Sequence, residues 1–300
     1  MTVTPDDERP HPAASEPSWV ESTWLELHDA TSQLAGIIRL DDRPNLRTSE
    51  VSFSFFLPDA GFVTARHVTP QAGDRLDVVE IEDARLETVE PLRRWAVKYD
   101  GPSHSLPSVA ETGSREAWSK SRLERLIVEL ELAAVRDAVG GRASFAQLVH
   151  VSGEVWVSGD RYEIATSALR GRSWGSGAVP RTMTRVSLTF GDERALLARL
   201  QKPDGEPGDA EALDGWTLAD GVVRPVQAMR VEPADAGPGA TAGGAIVVTD
   251  ARGEHRIRVE LPHVAPMPGA HGGRSYELRI GAARAIWDGC EGRGFVEQLR

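Results

Sequence analysis

Two arginines and a tryptophan occupy alternate positions of one short segment, Arg170-Gly171-Arg172-Ser173-Trp174-Gly175. Arginine is a planar, permanently charged fork that stacks on π systems and pairs with carbonyl or carboxylate oxygens. Tryptophan offers a broad π face to a cation or a polyene. Such a cluster either pins a corner, with an arginine stacked on the indole, or walls a pocket that holds a π system or a developing charge. In the second case Arg172 is the catalytic candidate, polarising a carbonyl, while Arg170 and Trp174 hold the substrate. Glu297 is the second catalytic candidate. It shares a face with Phe295 in the last alternating run. If that strand turns this face inward, the carboxylic acid can donate a proton; a solvated edge charge is the alternative.

Two further runs mix tryptophan with ionisable groups. Strict alternation puts Trp24, Glu26 and His28 on one face and Leu25 and Leu27 on the other. His150, Ser152, Glu154 and Trp156 share a face in the same way. Either set suits a ligand cavity, which makes Trp24, His28 and Trp156 substrate-binding candidates, or else an outer face with solvated charges. No phosphate loop, nucleophile elbow, HExxH or dinucleotide fingerprint occurs, and the eight histidines show no metal-site spacing. The glycine-rich run from Gly289 to Gly294 precedes a strand instead of opening a helix, so it reads as a tight turn. Neither a cofactor nor a metal is expected.

These residues must be positioned by strands. From Trp19 onward, short alternating or β-branched runs are broken by Gly, Pro, Asp and Asn, the pattern of an antiparallel β protein. Strands are expected around Trp24–His28, Gly36–Leu40, Val51–Leu57, Leu76–Ile81, Leu86–Val89 and Ala96–Tyr99, with a loop over 101–108. The run from Leu126 to Leu132 opens with a capping-box imitation, Ser121 to Glu124. Its alternation of leucine and valine with glutamate favours a strand. Val151–Val157 and Tyr162–Ala165 form a hairpin around Ser158-Gly159-Asp160. Further strands follow at Arg185–Phe190, Trp216–Val223, Ala245–Thr249, Arg256–Leu261, Tyr276–Ile280 and Gly294–Gln298. A polar stretch with one short helical piece is expected over 191–215, and a Gly/Ala/Pro loop over 233–244.

Three hundred residues suit two domains, and no apolar run approaches the roughly 20 residues of a membrane helix. A net charge of −11 argues against a nucleic-acid partner and in favour of a small hydrophobic molecule. A homodimer is compatible with the sequence. Cys290 is the only cysteine, which excludes an intrachain disulfide and makes a cytoplasmic setting the default. Residues 1–18, rich in acids and prolines without an apolar leader, read as a disordered tail. The β domains are expected over 19–165 and 166–300.

The segment Ala168-Leu169-Arg170-Gly171-Arg172-Ser173-Trp174-Gly175 resembles the signature Gly-Tyr-Arg-Asp-His-Ser-Trp-Gly of the carotenoid hydratase (hydroxyneurosporene synthase) and AttH-like superfamily. Supporting matches run in the same order: Trp24 to Asp29, Gly36, Pro44-Asn45, Gln147, Val151 to Gly159, and Gly292 to Glu297. The resemblance implies an all-β fold of two tandem lipocalin-like (calycin) antiparallel units, barrel or sandwich, with a ligand pocket. Relatives include hydratases and pericyclic or terpenoid cyclases. The departures that matter for chemistry are the signature's Asp and His, which stand here as Gly171 and Arg172. The family's His-Phe-Glu-Gln stretch likewise reads Ser144-Phe145-Ala146-Gln147. The implied function is a cofactor-independent enzyme that moulds an isoprenoid or polyene for cyclisation or isomerisation. A lipid carrier and a hydratase are the alternatives.

Overall fold

The computed structural model describes residues 2–70, 77–141, 143–202, 211–233, 242–271 and 274–300. Alternation governs it. Along β8 (Arg122–Ala134), Leu126, Val128, Leu130 and Leu132 are all buried, while Glu129 and Glu131 face out. The capping-box imitation is therefore overridden by the period-2 pattern. The chain divides into two compact units, Met1–Pro107 with Glu116–Ala178, and Ser108–Arg115 with Val179–Arg300.

The first unit holds β1 (Trp19–His28), β2 (Ala35–Arg43), β3 (Thr48–Phe56), β4 (Phe62–Pro70), β5 (Val78–Ile81), β6 (Ala84–Glu90), β7 (Arg94–Leu106), β8, β9 (Val139–Gly140), β10 (Ser144–Val157) and β11 (Asp160–Ser176). Strands β1 to β4 form a meander, β7, β8, β10 and β11 another, and β11 pairs with β1. Pairing of β4 with β7 through Phe62↔Leu106, Val63↔Ser105 and Thr64↔His104 closes an eight-stranded barrel. The earlier part of β7 carries β6 instead, so the β5–β6 hairpin branches from the wall. Closure removes the free edges that an open sheet would present. Phe53, Phe55, Tyr99, Val128, Val151 and Val155 pack the interior.

The second unit holds β12 (Thr182–Thr189), β13 (Ala195–Lys202), β14 (Ala212–Ala219), β15 (Val222–Pro225), β16 (Ala228–Pro233), β17 (Ala242–Asp250), β18 (Gly253–His271), β19 (Arg274–Trp287) and β20 (Cys290–Leu299). They form one open antiparallel sheet in the order β15-β14-β13-β12-β20-β19-β18-β17-β16. Its core gathers Val186, Leu188, Ile246, Ile257, Trp287 and Val296. The all-β, tandem lipocalin-like expectation holds: a barrel followed by a half-barrel sheet. The only α-helix among the described residues is α1 (Arg115–Ser119), and no helix there is long and apolar enough to cross a membrane.

Four local expectations change. The segment expected as a disordered tail carries a single 3-10 turn at Pro5–Glu8, a bridge from Thr2 to Val139, and a buried Glu8. Asn45 holds the following stretch by donating to the carbonyls of Ala14 and Glu16. The division expected at 165/166 falls within β11, which runs unbroken to Ser176 because alternation continues through Arg170, Arg172 and Trp174. The loop expected over 101–108 is mostly β7, with Ser103 donating to the Glu124 carbonyl. Finally, the stretch expected as polar and partly helical contains β13; its portion at 203–210, like residue 76 of the expected Leu76–Ile81 strand and the 234–241 part of the Gly/Ala/Pro loop, lies outside the described residues. The β10–β11 hairpin stands as expected. Ser158 (φ 53°) and Gly159 (φ 97°) supply the two left-handed residues of its tight turn.

Candidate functional site

Cross-strand register stacks the inward side chains of the barrel in tiers. The outermost tier aligns Trp174 on β11, Glu21 on β1, Asp42 on β2 and Ser49 on β3. Next come Arg172, Thr23, Leu40 and Val51, and then Arg170, Leu25, Ile38 and Phe53. Polar groups therefore crowd one end of the barrel and apolar groups fill the middle. Between them lies a cavity of about 190 Å³. Leu25, Ile38, Leu40, Val97 and Leu132 give it apolar walls. Its polar lining includes Glu8, Glu21, Asp42, Ser49, Arg170 and Arg172.

The N-terminal segment completes this end as a strap. Glu8 grips Arg170 with both oxygens, at 2.8 and 2.9 Å, and accepts the Leu92 N–H at 3.2 Å. Both partners are almost fully buried. Gln147 fixes Arg170 from the other side, accepting from it at 3.3 Å while donating to the carbonyls of Leu92 and Arg136. The Arg170 guanidinium also lies over the Trp95 ring, 3.8 Å from its centroid. Burial pushes the pKa of Arg170 down and Glu8 opposes that, so the pair is the electrostatic condition for placing a guanidinium here.

Arg172 donates to the Glu8 carbonyl and, at 2.8 Å, to Glu21. Glu21 in turn accepts from His11 Nδ1 at 2.7 Å and from the His11 backbone N–H at 3.2 Å. The His11 ring stacks on Trp174, with centroids 3.6 Å apart and planes 11° from parallel. Pro10 lines the cavity between these two anchor points.

Of the candidates read from the sequence, Arg170, Arg172 and Trp24 line this cavity. Trp174 stands at the same end, covered by His11. His28 and Trp156 do not line it. On β1 and β10 the apolar alternate face turns inward, as Leu25, Leu27, Val149, Val151 and Val155 show, because apolar residues gain most by burial in the barrel. His28 is buried on the other face, and Trp156 packs under the Arg161 guanidinium, 5.7 Å away. Glu297 belongs to the second unit, opposite in register to Arg185 and ion-paired with it at 2.8 Å. Val296, its neighbour, is the residue that joins that unit's core.

Glu8, His11, Glu21 and Asp42 are the residues that sequence reasoning passed over. Glu21 carried a signal: it shares the alternate face of Thr23, Leu25 and Leu27, a charge on an otherwise apolar stripe. Glu8 and His11 carried none, set in a run of acids and prolines. The Gly171 departure has a steric reason. A Cβ there would stand 2.5 Å from the Phe145 carbonyl oxygen and closer still to the Trp24 ring, which occupies the space of the missing side chain.

The second unit holds an apolar hollow of about 270 Å³, lined by Val231, Ile246, Val259, Leu261 and Val296 with Arg279 and Arg300. No carboxylate appears in that lining among the described residues. Acid, base and apolar wall meet only in the barrel cavity among those two.

Known structures share this architecture. A crystal structure described as an AttH of Nitrosomonas europaea matches with a TM-score of 0.65 and 14% identity over 99% of this chain and 96% of that one. Kievitone hydratase of Nectria haematococca gives 0.60 and 11% over 99% and 93%. CghA with Sch210972 gives 0.59 and 9% over 94% and 88%. The resemblance to the AttH-like double-lipocalin superfamily therefore holds at the level of fold. No curated protein matches the chain. From residue 4 to residue 300 it belongs to the family described as a domain of unknown function, DUF7064.

Proposed function

We propose that the chain is a biosynthetic enzyme, acting without a cofactor, that moulds a small isoprenoid or polyene in the barrel cavity and promotes its cyclisation or isomerisation. The observation that carries this reading is the cavity itself, apolar along its walls and ionisable at one end. A flexible chain held in a reactive shape loses much of its barrier through positioning alone, so few catalytic groups are needed. Its volume of about 190 Å³ lies below the roughly 300–1,000 Å³ of drug-sized sites. A short isoprenoid fits that size, whereas a carotenoid-length polyene does not. Arg172 and Glu21 supply charge at the polar end, with Trp95 as a π surface. Arg170, held by Glu8 and Gln147, orders the wall and strap.

The test is incubation of the purified chain with short linear isoprenoids and trienes, product analysis by mass spectrometry, and the same assay on Ile38→Trp, which fills the cavity. Turnover abolished by Ile38→Trp supports the reading. No turnover across the panel, with ligand still bound and lost on Ile38→Trp, makes the protein a carrier. That second reading is favoured by the engagement of both arginines with the chain's own carboxylates. A hydratase is the third reading, favoured by the fold shared with kievitone hydratase, and it requires label from heavy-oxygen water in the product.

A further inference from the structure

The His11 imidazole is built as the base of a dyad. Its Nδ1 lies 2.7 Å from Glu21 Oε1, and an ionised carboxylate only accepts, so the ring donates from Nδ1. That leaves Nε2 as the acceptor nitrogen, and no partner holds it among the described residues. Glu21 is fixed in turn by Arg172 and the His11 backbone N–H, and Trp174 fixes the plane of the ring. An oriented imidazole, a buried carboxylate behind it and a rigid support are the parts of a general base. Glu21 and Pro10 line the cavity; His11 lies outside that lining, and its ring, held on Glu21 and on Trp174 of the outermost tier, stands at the cavity's rim. Strap docking alone does not need this arrangement; Glu8 already anchors the segment through Arg170 and Leu92.

We propose that the His11–Glu21 dyad is a proton-transfer centre at the rim of the cavity, with His11 as the catalytic base and Glu21 and Arg172 as positioning residues. This rests on the reading that the cavity takes a small hydrophobic substrate, and it narrows that substrate to one with an acidic C–H beside a conjugated or carbonyl group. The Nε2 lone pair takes that proton, and the electrons of the broken C–H bond move into the conjugated system. The imidazolium then returns the proton at the far end, so a double bond migrates and no other reactant is consumed. Glu21 stabilises the imidazolium between the two steps.

Nitrobenzisoxazole tests the base without the natural substrate. Removal of its ring proton breaks the N–O bond and releases a coloured nitrile phenolate. The full chain is expected to show saturable ring opening faster than free imidazole at equal concentration. A loss of about 100-fold is expected in His11→Ala and about 10-fold in Glu21→Gln, within the usual range for general bases. Added imidazole should recover activity in His11→Ala but not in the wild type. Binding of N-phenylnaphthylamine, a neutral fluorescent probe of the cavity, reports whether the site survives; His11→Gln, which keeps a polar planar side chain, is the second variant. Loss of ring opening with probe binding kept, and recovery by imidazole, supports the dyad. Wild-type rates no higher than free imidazole, unchanged rates in both His11 variants, or parallel loss of rate and probe binding without rescue each overturn it. Probe binding in a wild type that lacks ring opening sinks the dyad and leaves the cavity reading intact.

Discussion

Replacing Glu8 with alanine is the sharpest perturbation of the barrel's polar end. The carboxylate makes two charged hydrogen bonds to Arg170 and accepts one backbone N–H, all at 3.2 Å or less. Without it, Arg170, 3% exposed, keeps among the described residues only Gln147 and the Trp95 and Phe145 rings. Removing one member of a buried ion pair costs about 3–5 kcal/mol because the other charge stays buried. The lower end applies here, since the strap can lift and admit water to the guanidinium. In a unit of about 170 residues, a loss of about 3 kcal/mol lowers the unfolding midpoint by about 6–12 °C. Glu8→Gln, which keeps one hydrogen bond to the guanidinium, should lose less. Calorimetry gives the midpoint, and amide exchange of residues 2–11 and of Leu92 shows whether the strap has lifted. A loss under about 1 kcal/mol, with exchange in the strap unchanged, would refute the argument that Glu8 makes Arg170 tolerable.

Two other outcomes follow from different parts of the molecule. Burial alone would raise the pKa of Asp250, but hydrogen bonds from Thr217 at 2.6 Å, His255 at 3.0 Å and the Arg252 N–H at 2.7 Å hold it down to about 2. A carboxylate whose folded pKa is depressed stabilises the fold fully above its unfolded value and loses that contribution as pH falls through the folded value. The second unit should therefore lose about 2 kcal/mol between pH 4 and pH 2, and denaturant titrations should show that slope flattened in Asp250→Asn. Gly171→Ala forces a methyl against the Trp24 ring and the Phe145 carbonyl. It should cost about 1–3 kcal/mol in thermal unfolding, and an unchanged midpoint would show that β11 yields more easily than its packing implies.

Strand identity was legible because a period of two survives in the residues that fill a barrel. Leu126 to Leu132 declares itself despite a helical-looking start, and Ser158-Gly159 declares its turn. Which face turns inward was less legible. Trp24 and Trp156 drew attention to the faces that carry them, while the plain leucines and valines between them form the interior. Alternation divides a strand into two faces without ranking them; the ranking comes from closure, which depends on pairings such as Phe62 with Leu106, far apart in sequence. The arginine segment was found as a cluster, but its partners were not, because Glu8 lies 162 positions from Arg170. A proline-rich acidic run scores as disordered by composition, yet two buried guanidinium groups give it somewhere to dock.

The strap also changes what counts as one inherited unit. Arg170 without Glu8 is a buried lone charge, and Glu21 without His11 and Arg172 is a buried lone carboxylate, so neither end drifts freely. Across relatives of this chain, positions 8, 11, 21, 170, 172 and 174 should change in concert, and a lineage that loses the first dozen residues should also lose its arginines. An affinity tag fused directly ahead of Thr2, which bridges to Val139, adjoins the strap that carries positions 8 and 11.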